Sequence, residues 1–502
     1  MTSFGTFDLI VVGGGVNGAG IARDAAGRGL TTLVVEKGDL AQGASSRSSK
    51  LVHGGLRYLE RFEFRLVREA LIEREILLRA APHIVRPMRF VLPHSAEQRP
   101  AWLIRLGLFL YDHLGSRALL PPARAVDLRR APEGAPLRNL YARGFEYSDC
   151  WVDDARLVVL NALDANRRGS RIVTRTLFLG ARRDGDRWSL TWRGPDGAET
   201  SASCRAIVNA AGPWVEEAAR AAGVASANRV RLVKGSHIVT RKFWAGEHAY
   251  LLQNADKRVI FVVPYENDLA LIGTTDVPFS GRVEDAAIDD GEIAYLLEAV
   301  NRFFADGPKR DGVLHSFSGV RPLFDDKVED ASAVTRDYAL ELDAHSGAAP
   351  LVSIFGGKIT TYRRLAEHVL ERLAPFFPGM KGRLTEGPPL PGGDLGAPDF
   401  AAFLIAARRR YPWLPEPIAY AYARRYGSRM HELLDGAASL GDLGRPFGGD
   451  LYEREARFLV SEEWARTAED ILERRTKHHL RMTAGERTEF ESWFDSSVDP
   501  GR

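Results

Sequence analysis

Three glycines spaced Gly13-x-Gly15-x-x-Gly18 follow an apolar run at residues 7–12. A small-residue helical pattern comes next, and a second apolar run ends on Glu36. These residue types at this spacing suit the binding of a pyrophosphate. Gly13 permits a tight turn, Gly15 lets the backbone approach the phosphates, and Gly18 lets helix and strand pack closely. The helix N-terminus then presents unpaired N–H groups and a positive dipole end to the anion, while Glu36 can accept from a ribose hydroxyl. The stretch reads as a βαβ dinucleotide site, open to NAD or FAD.

Two further stretches carry polar chemistry. Residues 42–58 hold Ser45, Ser46, Ser48, Ser49, Lys50, His53 and the Gly54-Gly55 pair directly after the acidic strand end. Ligands bind at that place in such folds, so the stretch is expected to wrap one. Residues 351–355 form a strand that runs into Gly356, Gly357, Lys358, Thr360 and Thr361 and then a helix, repeating the anion-site logic of the N-terminus. Two such sites can serve one long ligand.

The elements that must position these groups are legible from periodicity. Residues 204–214 form an apolar strand that opens through Ala211 and Gly212 to Trp214, and it is expected to add a parallel strand to the nucleotide sheet. Residues 231–240, 259–265 and 269–272 predict a β-rich, mostly antiparallel middle, with a helix over 289–304. Four prolines and four glycines in residues 385–398 mark a domain boundary, beyond which residues 399–498 read as successive helices. The expected division is residues 1–85, 144–230 and 320–380 for nucleotide binding. Residues 86–143 and 231–319 would bind substrate, and 395–502 would form a helical C-terminal domain.

Composition narrows the class of function. The 502 residues carry 68 basic and 66 acidic side chains, a net charge of +2, which argues against a dedicated nucleic-acid binder. Cys150 and Cys204 cannot make a disulfide framework, they lie in no metal-ligand spacing, and no metal site is expected. The N-terminus lacks a basic region ahead of its apolar run, which predicts a cytosolic-facing protein. Residues 101–114 are strongly apolar but too short to span a bilayer, which takes about 20 residues. Eight arginines against three acids in residues 86–130 leave two readings for this helix, burial between domains or attachment to an anionic membrane surface.

Longer motifs give the chain a resemblance. Residues 12–24 (VGGGVNGAGIARD), 45–58 (SSRSSKLVHGGLRY), 234–237 (KGSH), 273–276 (GTTD), 318–322 (SGVRP), 335–338 (TRDY) and 356–366 (GGKITTYRRLA) resemble those of the aerobic, bacterial type of FAD-dependent glycerol-3-phosphate dehydrogenase. The resemblance spans nearly the whole chain. It implies an α/β fold with a Rossmann-like FAD-binding domain, a β-sheet substrate domain of the glutathione-reductase and D-amino-acid-oxidase kind, and an all-α C-terminal domain. It implies oxidation of sn-glycerol 3-phosphate to dihydroxyacetone phosphate with electrons passed to membrane quinone. The implied enzyme is a homodimer, peripheral on the cytoplasmic face of the cell membrane.

Carried onto this sequence, the FAD site comprises Gly13, Gly15, Asn17, Gly18, Glu36, Ser45, Ser46, Ser49, Lys50, Leu51, His53, Gly54, Ala211, Gly212, Trp214, Gly356, Gly357, Lys358, Thr360 and Thr361. Oxidation of a secondary alcohol needs a base for the hydroxyl proton and a cation near the developing alkoxide, and the phosphate end needs planar donor forks. Arg57, Arg321 and Arg336 are the cationic candidates. His237 is the first candidate base and Lys358 the second, with Tyr58 beside them in the substrate site. An oxidase using oxygen on the same scaffold is the nearest alternative, and a non-enzymatic FAD-binding module is the more distant one. The motif arginines and the second anion site argue against the module.

Overall fold

The computed structural model describes residues 2–95, 98–115, 118–254, 256, 258–325, 337–345, 347–396 and 399–498. The apolar run before Gly13 becomes the strand Thr2–Val12, and the small-residue pattern becomes helix α1 (Val16–Gly27). Thr2–Val12 pairs in parallel with Thr32–Val35 on one side and Glu199–Asn209 on the other. Leu351–Gly356 and Arg171–Val173 extend the parallel sheet at its two ends. Tyr338–Asp343 and the hairpin Leu177–Asp184/Arg187–Arg193 add antiparallel strands. The central strands are buried on both faces, which explains their continuous rather than alternating apolar pattern.

Among the described residues a second sheet holds ten strands and is antiparallel except where Ala249–Gln253 runs parallel to Val85–His94. Helices α2 (Phe64–Ala80) and α3 (Ala101–Leu114) pack on one of its faces. In the first domain α4 (Asp154–Arg167), capped by the Asp153 side chain on Arg156 N–H, packs against α1. The short α5 (Val215–Ala221) follows the Gly212 turn. Helix α6 (Asp290–Asn301) covers the other face of the second sheet, and α7 (Tyr362–Leu373) returns to α1.

Two segments pair outside their expected domain. Residues 144–152, assigned from the sequence to nucleotide binding, lie in the strand Arg143–Val152, which pairs along its whole length with Val85–His94 in the second sheet. Residues 320–324 likewise belong to Val313–Phe324, the partner of Val230–Arg241. Arg143–Val152 is interior to that sheet's hydrogen-bond ladder and Val313–Phe324 lies at its edge, so tertiary pairing rather than chain order decides their domain. The C-terminal helices Phe400–Arg410, Glu416–Tyr426, Glu453–Glu462 and Ala484–Ser497 have their own core around Tyr422, Tyr426 and Phe490.

Candidate active site

A single cavity of about 1230 Å³ runs from the Gly13–Gly15 turn to the face of the second sheet. At its first end Gly13 takes φ +111°, and a Cβ there would lie 2.5 Å from the Ala210 carbonyl oxygen. Gly15 is the N-cap of α1, and Ser45 Oγ accepts from the Val16 N–H at 3.0 Å, so the serine loop closes over the helix end. Glu36 lines the cavity while its carboxylate accepts from Gly14 N–H at 2.5 Å and Gly38 N–H at 2.7 Å. Burial pushes its carboxyl above the usual range, against the pull of those two donors. Asn17 donates to the Gly356 carbonyl at 3.4 Å, and its buried Oδ1 has no partner among the described residues.

The other end carries the candidate reacting groups. His237 lies on Val230–Arg241 directly opposite Gly273, where a Cβ would come within 2.1 Å of the imidazole Cδ2. Gly273 therefore makes room for that ring. The imidazole stacks on Phe317 at 5.0 Å, and its Nε2 lies 2.8 Å from Ser49 Oγ. Its buried Nδ1 has no partner among the described residues. Burial pushes His237 down to about 3, and the charges of Lys50 and Arg321 act in the same direction. His53 is likewise pushed down to about 3, by burial and then by Lys358 and Arg74. Both rings are neutral at ordinary pH.

Arg321 projects from Val313–Phe324 and donates through Nη2 to the Thr275 carbonyl at 2.9 Å and to Asp276 Oδ1 at 2.6 Å. Gly235 lets the guanidinium cross its strand, since a Cβ there would stand 2.6 Å from Nη2. Lys358 places its ammonium 3.7 Å from the centre of the Tyr58 ring, a cation–π contact. Arg57 sits beside them on the turn Leu56–Arg61. The walls of one cavity thus contain His237, Arg321, Lys358, Arg57, Tyr58, His53, Ser49, Leu51, Ala211, Gly212, Trp214, Gly356, Gly357 and Thr360. Arg336 lies outside the described residues.

Five expected residues stand behind the wall rather than in it. Gly18 is the helix–strand contact, with a Cβ position 1.9 Å from the Gly13 carbonyl oxygen. Lys50 is buried, with Nζ on Asp154 Oδ1 at 2.8 Å and on the Ser46 carbonyl at 3.0 Å, so both residues stiffen the serine loop from outside. Gly54 donates to the Tyr111 hydroxyl at 2.8 Å, and Thr361 is the buried N-cap residue of α7. A desolvated lysine facing a helix N-terminal aspartate is not distinguishable from a ligand-binding lysine by sequence position. Asp276, Phe261 and Arg47, which do line the cavity, were not anticipated. The acid in the GTTD stretch, just after a strand end, was the available signal for Asp276.

Comparison with known proteins agrees with this architecture. Residues 8–363 match the family model described as FAD dependent oxidoreductase, and residues 383–488 match that of the C-terminal domain of alpha-glycerophosphate oxidase. The chain is 59% identical to a D-erythritol 1-phosphate dehydrogenase of Brucella abortus over 98% of both proteins. It is 49% identical to an aerobic glycerol-3-phosphate dehydrogenase of Escherichia coli over 97% of both. The solved glycerol-3-phosphate dehydrogenase of Bacillus halodurans, complexed with FAD, superposes with a TM-score of 0.75 at 25% identity, covering 99% of this chain and 96% of that one. The cavity suits that cofactor. The bare backbone at Gly15, the orphaned Asn17 Oδ1 and the Glu36 carboxylate line its nucleotide end, where an extended dinucleotide needs them. The chain belongs to the FAD-dependent oxidoreductases, in the family of the bacterial glycerol-3-phosphate dehydrogenases.

Proposed function

We propose that the protein oxidises the secondary alcohol of sn-glycerol 3-phosphate to dihydroxyacetone phosphate and delivers the electrons to a membrane quinone. FAD, when bound, supplies the two-electron acceptor for that oxidation. The observation that carries the reading is the convergence of a buried neutral imidazole, His237, with the cations Arg321, Lys358 and Arg57 at one end of the cofactor cavity. Arg57 and Arg321 offer planar forks to the phosphate, and Lys358 offers a point charge. His237 is oriented by Ser49 and Phe317 to take the hydroxyl proton. Burial is the main cause of the imidazole's low proton affinity, and an anionic phosphate beside Arg321 would offset only the smaller part that comes from that guanidinium's charge.

A second substrate has a specific observation in its favour. The identity to the D-erythritol 1-phosphate dehydrogenase, 59%, exceeds that to the glycerol-3-phosphate dehydrogenase of Escherichia coli, 49%. A four-carbon polyol phosphate presents the same phosphate and secondary alcohol with one further carbinol. Anaerobic titration of the yellow holoenzyme decides between them. Glycerol 3-phosphate should reduce the flavin with the larger second-order rate constant, and preferential bleaching by D-erythritol 1-phosphate would move the assignment. Equal turnover of glycerol and glycerol 3-phosphate would remove the phosphate-binding role. Arg321→Ala should lose more than about tenfold in turnover with FAD retained, because a charge-assisted contact is worth about 1.5–3 kcal/mol.

The quinone and membrane part of the proposal rests on α3. That helix lines the cavity with Leu103, Leu106, Gly107 and Leu110 while exposing Trp102 and Phe109 to solvent, so one element joins the cavity to an apolar surface. No helix among the described residues is long and apolar enough to cross a membrane.

A further inference from the structure

Beneath Arg321 and His237, on the side away from the cavity, lies a buried carboxylate with a full set of donors. Glu292, on the first turn of α6, accepts through Oε1 from Ser236 Oγ and Thr275 Oγ1, each at 2.9 Å. Its Oε2 accepts from Lys234 Nζ at 2.9 Å and from the Asp289 N–H at 3.1 Å. Ser236, Thr275 and Ser318 are all buried, and Ser236 Oγ lies 2.8 Å from Ser318 Oγ. Ser236 N–H also donates to Thr275 Oγ1 at 2.9 Å.

Each of these partners is one short step from a group facing the cavity. Ser236 precedes His237 on its strand. Thr275 offers its carbonyl to Arg321 and precedes Asp276, the second acceptor of that guanidinium. Ser318 lies three residues before Arg321, and its carbonyl accepts from Arg47 Nη1 at 3.1 Å. A helix cap alone needs only the reciprocal pair between Asp289 and Glu292. The three further bonds to Ser236, Thr275 and Lys234 are beyond what capping requires. Satisfied buried networks of this kind fix side-chain placement, and a single missing partner is felt throughout.

We infer that Glu292 is a positioning residue, whose carboxylate pins the His237 strand, the Thr275 carbonyl and, through Ser236, the Arg321 strand into one arrangement. The inference rests on the reading that His237 and Arg321 act on the substrate. Its geometric content, the placement of Arg321, can be read without any substrate.

The test uses holoenzymes carrying Glu292→Gln, Thr275→Val and Asp289→Ala. Glu292→Gln removes the negative charge and turns one of two accepting oxygens into a donor, so either Lys234 and Asp289 N–H or the Ser236 and Thr275 hydroxyls lose their acceptor. Thr275→Val deletes the hydroxyl link and leaves the carbonyl that holds Arg321. Both should lose at least tenfold in kcat/KM for glycerol 3-phosphate with FAD content unchanged. Asp289→Ala removes the same helix cap and should lower the melting temperature while leaving kcat/KM within twofold. In an Arg321→Ala background, Thr275→Val should cost less than it does in the wild type, because one of the groups it positions is gone. Crystal structures of the two network variants should show the Arg321 to Thr275 carbonyl contact lengthened or lost. Wild-type kcat/KM in Thr275→Val, an equal kinetic loss in Asp289→Ala, or additive losses in the Arg321→Ala background would overturn the inference. If the wild type oxidises no polyol phosphate, the functional reading fails. The crystal structures then decide the positioning role alone, and an unmoved Arg321 in both variants would end it.

Discussion

Gly15 and Gly18 lie within one helical turn, yet a side chain fails at each for a different reason. At Gly18 the built Cβ stands 1.9 Å from a backbone oxygen, so Gly18→Val must separate α1 from its strand, and the protein should melt or fail to fold. At Gly15 the nearest atom is the movable Ser45 Oγ, at 3.1 Å. Gly15→Val should therefore keep native circular dichroism and lose flavin absorbance. Full flavin content in that variant would move the pyrophosphate away from this turn. His237 carries a second prediction at this scale. A folded-state value pushed down to about 3 keeps the imidazole neutral at any pH well above that, so lowering the pH from 8 to about 5 does not protonate it in the free enzyme. His237→Gln should lose at least about 100-fold in kcat, as expected for a missing general base. The ratio of wild-type to variant kcat/KM should stay flat across that pH range. A ratio that falls with a midpoint near the ordinary histidine value would show that the ring titrates.

At the scale of elements, α3 illustrates what periodicity can and cannot deliver. Its span, Ala101–Leu114, is legible from the apolar run alone, but its surroundings are not. Only Leu108 and Tyr111 are buried, while Trp102 is 68% exposed, Phe109 57% and Leu106 47%, which excludes burial between domains. Phe62, 77% exposed at the end of the turn Leu56–Arg61, adds to the same kind of surface. If this face lies on a bilayer, Leu106→Asp and Phe109→Asp should weaken binding to acidic vesicles and reduce quinone turnover there, with activity toward a soluble acceptor retained. Salt should release the protein only partly, because each basic contact is worth about 1 kcal/mol and is screened, whereas apolar insertion is not. Arg105 is the exposed arginine on this helix and its candidate anchor. Arg99 is held by Glu60 at 2.5 Å, and Arg117 lies outside the described residues. Loss of both activities together with folding would make α3 structural. The glycine turn, the parallel strand Glu199–Asn209 and the strand, double glycine and helix around Gly356 and Gly357 were all readable because each has a local signature. The sheet membership of Arg143–Val152 and the role of Glu292 were not, since both depend on partners far along the chain. Lys50 shows the opposite error, a charge in a ligand-like loop that serves a buried aspartate.

At the scale of the whole molecule, buried ion pairs tie the C-terminal helices to the nucleotide domain. Arg474 and Arg475 hold Asp39, three residues beyond Glu36, with bonds of 2.7–2.8 Å, and Lys477 pairs with Asp153 at 2.5 Å. Glu463 is shared by Arg156 of α4 and by Arg429, the latter at 2.5 Å. Burial alone would raise its pKa, but the two guanidiniums outweigh that and hold it down to about 2, against an ordinary value of 4.5. A carboxylate depressed in the folded state contributes stability that is complete above its unfolded value and is lost as pH falls toward its folded one. The interval here is about pH 4.5 down to 2, and the shift corresponds to roughly 3 kcal/mol. Asp39 is lowered in the same direction by Arg475 and Arg474, against its own burial. The domain junction should therefore loosen first in acid, and because Asp39 lies in the loop that carries Glu36, FAD should leave with it. Glu463→Gln should destabilise the holoenzyme at pH 7 by about 3–5 kcal/mol, since it leaves two arginines buried without their anion. As pH falls below about 4.5 the wild type loses the same contribution by protonation. The melting temperatures of wild type and variant should then converge, with flavin release following the wild-type curve. A gap between them that stays constant from pH 7 to about 3 would mean that Glu463 is not the group through which acid reaches the junction.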